Sequence, residues 1–199
     1  LVHLAGVNRP PHESEFQVVN VELTRDLVDF IDRKMPGLPC VLVSSIQAGN
    51  GTPYGQSKQQ AEALFVEREK RHPGSSRIFR LPNVFGKWSR PNYNSVIATF
   101  CAEAAAGKPL TIHDPASPLR LAHIDAVVEA LVSSLTGGGQ GLFRSGIPEF
   151  HTSVGQVAAI IGEFARNMGK VAVPDVGDEL TRLLHSTFIS FVKPSALMC

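Results

Sequence analysis

Three side chains between residues 45 and 58 have the types and the spacing needed to transfer a proton. Tyr54 and Lys58 stand four residues apart, so they share one face if this segment is a helix. A phenol with an ordinary pKa near ~10 is a poor acid at neutral pH, and a nearby ammonium lowers that pKa by stabilising the phenolate. Ser45 adds a hydroxyl that can hold the oxygen that gains or loses the proton. These residue types therefore predict general acid–base chemistry.

The elements around these residues can bring them together. Residues 40–43 form a short apolar run typical of a strand buried on both faces, and the run ends in Ser44 and Ser45. After a turn rich in glycine and asparagine, Thr52 can cap a helix whose first turn accommodates Pro53. A Tyr-x-x-x-Lys pair alone is frequent on exposed helices, where both side chains are simply solvated. The strand, turn and helix around the pair favour the functional interpretation.

Strands and helices alternate through the first half of the chain. The predicted elements are strands at 1–5, 40–43 and 77–81 and helices at 15–34 and 54–71, with loops at 6–11 and 82–86. Strands joined by helices form parallel sheets, so the predicted class is α/β. Open α/β sheets bind their ligands in the loops at the carboxyl ends of the strands.

The second half of the chain is less regular. The predicted elements are helices at 95–106, 125–135, 153–168 and 178–189, short strands at 110–112 and 171–173, and a strand-like turn at Phe143. Residues 136–141 are rich in glycine and are predicted to be a flexible connector.

Composition excludes several classes of function. The chain has 199 residues, 43% of them hydrophobic and 19% charged, which suits one domain with a sizeable core. Its net charge of +1 does not indicate nucleic acid or an anionic membrane surface as a partner. No run approaches the ~18 apolar residues of a membrane span. The three cysteines lack metal-ligand spacing, so we expect reduced thiols, a cytoplasmic location and no metal site.

Several motifs match one known family. They are Leu4-Ala5-Gly6, the set Ser45, Tyr54 and Lys58, the segment 80–86 (RLPNVFG) and the more specific run 85–101 (FGKWSRPNYNSVIATFC). On these motifs the chain resembles the extended short-chain dehydrogenase/reductases of the epimerase/dehydratase type, which are NAD(P)-dependent nucleotide-sugar enzymes. It is most similar to their capsular-polysaccharide branch, whose members reduce the 4-keto group of a UDP-2-acetamido-2,6-dideoxy-hexose.

The resemblance implies a fold and a division of labour along the chain. It implies a partial Rossmann-like, doubly wound parallel sheet with a small mixed C-terminal substrate-binding subdomain. Residues 1–90 would form the partial NAD(P)-binding domain that carries the Ser/Tyr/Lys site. Residues 91–199 would mostly bind the sugar nucleotide, with one helix at about 125–135 returning to the Rossmann layer. NADP(H) or NAD(H) is the expected cofactor, a UDP-linked deoxyamino sugar the expected ligand, and a homodimer the expected assembly.

The resemblance also implies a role for each matching residue. Tyr54 would protonate the C4 oxygen of the sugar, Lys58 would lower the pKa of Tyr54 and bond the nicotinamide ribose, and Ser45 would hold the C4 oxygen. The phase of the strand makes Ser44 the less favoured serine. Further cofactor contacts would come from Ala5, Gly6 and Pro82. Substrate contacts would come from Asn83, Lys87, Arg90 and Asn92, although side chains in a polar loop are often only solvated.

Departures from the family leave alternatives open. The sequence begins inside an apolar strand without an initiator methionine, so we expect a piece of a longer polypeptide. The family's glycine-rich βαβ unit and the branch's cupin domain are not in this sequence, and we expect weakened NAD(P) binding by the isolated chain. One alternative is a truncated, non-catalytic paralogue that binds at most a nucleotide sugar or a partner chain. The other is an NAD-dependent sugar-nucleotide epimerase.

Overall fold

The structure is a computed structural model that describes residues 1–137, 141–168 and 177–193. In chain order its elements are β1 (Val2–His3), a π-helical segment (Phe16–Glu22), α1 (Leu23–Lys34), β2 (Cys40–Ser45), α2 (Pro53–Arg71), β3 (Ser76–Leu81), β4 (Asn83–Phe85), α3 (Val96–Ala105), β5 (Pro118–His123), α4 (Ile124–Leu135), β6 (Phe143–Arg144), β7 (Phe150–Ser153), α5 (Val154–Asn167) and α6 (Glu179–Ile189). No helix among these residues is long and apolar enough to cross a membrane.

The chain divides into two compact units. Unit 1 contains Leu1–Pro82 and Val128–Ile147, and unit 2 contains Asn83–Val127 and Pro148–Cys199. That residues 1–90 bind the cofactor and residues 91–199 mostly bind the sugar nucleotide stays a prediction.

Unit 1 is built on a parallel sheet with the strand order β1-β2-β3-β6. Its core consists of side chains from α1, β2, α2 and β3 that meet on one side of the sheet, namely Val28, Ile31, Cys40, Leu42, Ala61, Phe65 and Ile78. Helix and strand alternate as the sequence predicts, so the α/β, Rossmann-like class is confirmed. The first strand is shorter than predicted, because only Val2 and His3 pair with β2 and the following residues, Leu4 and Ala5, are exposed.

Helix α2 begins where the sequence predicts. The Thr52 hydroxyl accepts a hydrogen bond of 3.0 Å from the Gly55 amide, and Pro53 occupies the first turn. Both features stabilise a helix start, because the first amides have no partner within the helix. The helix runs to Arg71, which is the predicted end.

A buried cation secures the amino ends of β2 and β3. The Arg68 side chain is fully buried and donates to Asp32 Oδ1 at 2.9 Å and to the carbonyl oxygens of Pro36, Leu38 and Ser75 at 2.8 to 3.0 Å. A buried guanidinium is tolerated only when its donors are paired, and these partners supply that pairing. Arg68 therefore joins α2 to α1 and to the segments that enter both strands.

Unit 2 has a mixed sheet in which β5 lies between β4 and β7, parallel to β4 and antiparallel to β7. Helices α3, α5 and α6 enclose its core, which contains Phe85, Ile97, Phe100, Cys101, Ala104, Leu121, Val157, Ala158, Ile161, Phe164, Leu184, Phe188 and Val192. The mixed sheet agrees with the predicted mixed subdomain.

Several local predictions for this half are wrong. Residues 83–85 of the predicted loop form β4, because Asn83, Val84 and Phe85 pair with β5. The predicted strand at 110–112 is irregular, whereas β5 and β7 were not predicted as strands. Pairing between strands distant in sequence decides these short elements, and local propensity does not encode it. The strand predicted at 171–173 lies outside the described residues.

Candidate active site

The two adjacent serines at the end of β2 face different partners. The Ser45 hydroxyl accepts a hydrogen bond from the Gln47 amide at 3.1 Å and lies within hydrogen-bonding reach of the Tyr54 phenol. The Ser44 hydroxyl instead donates to Glu62 Oε1 at 2.6 Å. Successive side chains of a strand point to opposite faces, so only one serine can face Tyr54. That serine is Ser45, the one that the phase of the strand favours.

The turn between β2 and α2 packs directly on the first turn of the helix. The Gly49 amide donates to the Gly55 carbonyl at 3.1 Å, and the Asn50 amide donates to the Gln47 carbonyl at 3.0 Å. A Cβ atom at position 55 would collide with the Gln47 carbonyl oxygen and the Asn50 side chain. Glycine beside Tyr54 therefore allows the close approach that brings the phenol to the end of β2.

Lys58 lies on the same helix as Tyr54 but contacts the strand. Its side chain is buried, and Nζ donates to the Val43 carbonyl at 2.9 Å. Burial lowers the pKa of Lys58, and the nearby Glu62 carboxylate opposes that change. The Lys58 ammonium is therefore stabilised by the Val43 carbonyl and the Glu62 carboxylate in an environment with little water.

Burial raises the pKa of Tyr54, and the hydrogen bond with Ser45 partly opposes the rise. In this structure the Lys58 ammonium is directed to the Val43 carbonyl, while the phenol is removed from water. The role of Lys58 in lowering the pKa of Tyr54 therefore stays a prediction.

Asn20 ties the loop after β1 to the helix that carries Tyr54. Its Oδ1 accepts from the Val7 amide at 2.7 Å, and its Nδ2 donates to the Val7 carbonyl and to the Ser57 hydroxyl, each at 2.9 Å. Ser57 in turn donates to the Tyr54 carbonyl at 2.7 Å. This network joins the loop after β1 to α2 and fixes that loop beside Lys58.

The exposed residues that follow β1 lie beside this network. Ala5 and Gly6 are exposed, and a Cβ atom at Gly6 would lie 3.0 Å from Asn20 Oδ1 and 3.7 Å from Lys58 Nζ. Any larger side chain there would occupy the surface in front of the Lys58 ammonium. Pro82, at the end of β3, is buried.

His3 has a structural place in the same region. It is buried, and its Nε2 lies 2.8 Å from the Thr24 hydroxyl. Burial lowers the pKa of His3, and the positive charge of Lys58 lowers it further.

Two neighbours of the site were not predicted from the sequence. The Phe16 ring lies against the Tyr54 ring, with 6.0 Å between their centroids. The Glu62 carboxylate is buried between α2 and the sheet, where Arg80 binds it through two nitrogen atoms. The four-residue spacing between Lys58 and Glu62 was visible in the sequence, but the partners on β2 and β3 were not.

The four residues predicted to bind substrate all lie in unit 2 and are exposed. Asn83 Nδ2 donates to the Arg120 carbonyl at 3.2 Å, and the Asn92 amide donates to the Thr99 hydroxyl at 2.9 Å. Asn92 has a φ of 55°, in the left-handed region that asparagine tolerates better than most residues.

Cations and aromatic rings alternate in the loop that carries Lys87 and Arg90. The Lys87 ammonium lies 5.4 Å from the centre of the Trp88 ring and 3.7 Å from Asp125 Oδ1. The Arg90 guanidinium lies 5.4 Å from the centre of the Tyr93 ring. Trp88 is 86% exposed and has a φ of 66°, which is unusual for a bulky residue. The loop thus presents positive charge and an aromatic face to solvent.

Ser45, Tyr54, Lys58, Ala5 and Gly6 are brought together within unit 1, and the substrate-binding candidates form a separate group within unit 2. Their functional roles stay predictions. Among the described residues there is no group of three or more histidine, cysteine, aspartate or glutamate side chains that could hold a metal ion.

Comparisons with known proteins identify relatives over most of the chain. The chain is 38% identical over 193 residues to a UDP-2-acetamido-2,6-beta-L-arabino-hexul-4-ose reductase of Pseudomonas aeruginosa, and this match covers 96% of the chain and 52% of the relative. It is 27% identical over 124 residues to UDP-glucuronic acid decarboxylase 6 of Arabidopsis thaliana, covering 62% of the chain and 34% of that enzyme. The chain therefore spans about half the length, or less, of these curated relatives.

Solved structures show the same fold. The capsular polysaccharide assembling protein CapF of Staphylococcus aureus superimposes with a TM-score of 0.83 at 31% identity, over 98% of this chain and 52% of CapF. A UDP-glucuronic acid 4-epimerase of Bacillus cereus, solved in complex with NAD, gives a TM-score of 0.78 over 96% of this chain and 74% of the epimerase. Its identity of 18% shows the shared fold alone. The sequence profile of one family matches residues 1–141, and the chain belongs to that family, the NAD dependent epimerase/dehydratase family.

Proposed function

We propose that the protein serves in the NADPH-dependent reduction of the 4-keto group of a UDP-2-acetamido-2,6-dideoxy-hexose, in the synthesis of capsule or O-antigen sugars. The observation that carries the proposal is the pairing of Ser45 with Tyr54 at the end of β2, with Lys58 buried on the same helix. The similarity to a 4-keto sugar reductase over 96% of the chain supports this choice of reaction over the other chemistries of the family.

Reduction of a ketone requires an acid that gives a proton to the carbonyl oxygen. The Tyr54 phenol is protonated at neutral pH, but burial raises its pKa, so it needs a partner that stabilises the phenolate before it can act as that acid. The Ser45 hydroxyl, hydrogen-bonded to that phenol, is placed to hold the same oxygen. Lys58 then limits the cost of the phenolate that remains when the proton has left, provided that its ammonium turns from the Val43 carbonyl towards Tyr54.

The residues at the end of β1 fit a nicotinamide cofactor. The Gly6 backbone lies close to the Lys58 ammonium, since a Cβ atom at Gly6 would be 3.7 Å from Lys58 Nζ. Ala5 and Gly6 would allow the cofactor to approach the backbone, and Lys58 would donate to a ribose hydroxyl. When bound, the cofactor supplies the hydride for the reduction. Pro82 is buried and would contribute only an apolar contact.

The loop in unit 2 suits a nucleoside diphosphate. Residues 86–95 include Lys87 and Arg90 and contain no carboxylate. Cationic side chains bind phosphate through charge-assisted hydrogen bonds, and the exposed amides of Asn83 and Asn92 can bind sugar hydroxyls. We propose UDP-linked sugar as the ligand of this loop, a homodimer as the assembly and the cytoplasm as the location.

Binding and turnover test the proposal separately. Trp88 is the only tryptophan in the chain, so its fluorescence reports on ligands that bind beside Lys87 and Arg90. We expect UDP to change this fluorescence, and NADPH absorbance to fall when the keto-sugar is added. Tyr54→Phe is expected to lower turnover at least ~100-fold while the UDP titration is unchanged, because only the proton donor is lost.

The matched control for the lysine uses another residue of α2. Lys58→Met is expected to reduce turnover, whereas Lys70→Met is not, because Lys70 is exposed and pairs with Glu67 on the surface. Full turnover in Tyr54→Phe would refute the mechanism. UDP binding without NADPH binding or turnover in the unmodified chain would instead favour the alternative that these 199 residues only bind a nucleotide sugar.

A further inference from the structure

Glu62 is a buried carboxylate with three hydrogen bonds. It is 3% exposed, and its Oε1 accepts from the Ser44 hydroxyl at 2.6 Å and from Arg80 Nε at 2.9 Å. Its Oε2 accepts from Arg80 Nη2 at 2.6 Å. A buried charge is costly unless it is paired and hydrogen-bonded, and the two-point contact with arginine is the strongest such pairing for a carboxylate.

The partners of Glu62 belong to both central strands. Ser44 and Arg80 are opposite each other in the β2–β3 ladder, so their side chains emerge on the same face and converge on one carboxylate. The Arg80 guanidinium also lies 5.0 Å from the ring centre of Phe143 on β6. Glu62 therefore links α2 directly to β2 and β3, and through Arg80 to β6. These contacts lie at the end of the sheet that carries Ser45.

The negative charge of Glu62 also affects the pKa of Lys58. Glu62 follows Lys58 by one helical turn, and its charge opposes the effect of burial on the pKa of Lys58. Among the described residues, His3 from β1 and the Val43 carbonyl from β2 also face Lys58. Arg80 binds the Glu62 carboxylate through two nitrogen atoms, so an ion pair lies one helical turn from Lys58.

We propose that Glu62 is a positioning residue of the candidate site, which sets the distance from Tyr54 and Lys58 to the end of β2 and acts as the counter-charge of Lys58. Its importance for catalysis rests on the proposed function, but its effect on Ser45, Tyr54 and Lys58 does not. The ion pair of Arg68 with Asp32 offers a contrast, because it lies at the amino ends of the strands and contacts none of these three residues.

The titration of Lys58 tests the counter-charge directly. The chain is labelled with ¹³C-lysine, the Lys58 signal is identified by its loss in Lys58→Met, and its NMR titration midpoint is measured in the wild type and in Glu62→Gln. We expect the midpoint to move to lower pH in Glu62→Gln, because the ammonium loses its stabilising anion. The matched control is Glu67→Gln on the exposed side of the same helix, which is expected to leave the midpoint unchanged.

Glu62→Asp separates position from charge. Aspartate keeps the negative charge but is too short to reach both Ser44 and Arg80 from the same backbone. We expect the Lys58 midpoint to stay nearer the wild-type value than in Glu62→Gln, while the backbone amide signals of Ser45 and Tyr54 shift. Because neither readout requires NADPH or UDP-sugar, the result is independent of whether the chain turns over.

The opposite results would overturn the inference. An unchanged Lys58 midpoint in a folded Glu62→Gln chain, or an equal shift in Glu67→Gln, removes the counter-charge role. Unchanged Ser45 and Tyr54 amide signals in Glu62→Asp remove the positioning role. If Glu62→Gln fails to fold, the test uses Glu62→Asp and Ser44→Ala, since both variants keep a carboxylate at position 62. Unchanged amide signals of Ser45 and Tyr54 in both variants would refute the proposal.

Discussion

Replacing Asn20 with alanine is expected to release the loop after β1 and to destabilise unit 1. The Asn20 side chain makes three hydrogen bonds: two partly buried ones with the Val7 backbone and a buried one with the Ser57 hydroxyl. Alanine removes all three and leaves the Val7 amide and carbonyl without those partners. The perturbation is confined to one side chain that the structure shows to be 2% exposed.

The size of the effect follows from those three bonds. A buried hydrogen bond contributes about 0.5–1.5 kcal/mol net, and leaving a partner unsatisfied moves the value towards the upper end. We therefore expect the free energy of unfolding to fall by about 2–4 kcal/mol. For a chain of this size that corresponds to a decrease in Tm of roughly 5–12 °C.

Two measurements check the Asn20 prediction. Urea unfolding gives the change in the free energy of unfolding, and hydrogen exchange reports on the Val7 amide, which Asn20 Oδ1 protects in the native chain. The control is Asn94→Ala, because Asn94 is exposed. A loss below ~0.5 kcal/mol together with unchanged exchange at Val7 would refute the reasoning, since surface substitutions alone produce changes of that size.

Two further predictions concern buried charge. Arg68→Met is expected to lower the free energy of unfolding, measured in urea, by about 3–5 kcal/mol, because Asp32 and three carbonyl groups lose a buried partner. The control is Arg71→Met, which is expected to lower it by less than ~1 kcal/mol because the Arg71 side chain is 52% exposed. Burial lowers the pKa values of His3, His123 and His185, so below about pH 6.5 the unfolded chain binds more protons than the folded chain. The urea midpoint is therefore expected to fall as the pH drops below about 6.5. A midpoint that stays constant from pH ~7.5 to ~5.5 would contradict this prediction.

The long elements of unit 1 were predictable because local sequence determines them. The apolar positions of α1 recur at helical spacing, and Thr52 with Pro53 marks the start of α2. The short strands of unit 2 were not predictable in the same way. Asn83–Phe85 is a strand only because β5 lies beside it, and residues 110–112 have a suitable composition but no pairing strand among the described residues.

In the candidate site, too, the features set by local sequence were predictable and those set by contacts across the sheet were not. Residue type and spacing along one strand and one helix were enough to select Ser45, Tyr54 and Lys58, and to prefer Ser45 to Ser44. The direction of the Tyr54 pKa and the place of Glu62 depend on what faces each side chain across the sheet. Those contacts join residues far apart in sequence, so no local pattern reports them.

The π-helical segment Phe16–Glu22 has a consequence for how this region tolerates insertions and deletions. Each π turn closes its hydrogen bonds one residue later than an α turn, so the segment accommodates more chain than a regular helix of the same length. Removing one residue within it would let the chain return to regular winding, with the residues on either side close to their present faces. In the regular helix α1 the same deletion would turn everything beyond the cut by about 100°. We therefore expect the Phe16–Tyr54 and Asn20–Ser57 contacts to survive a one-residue deletion between Phe16 and Asn20, and such deletions to be less damaging here than in α1.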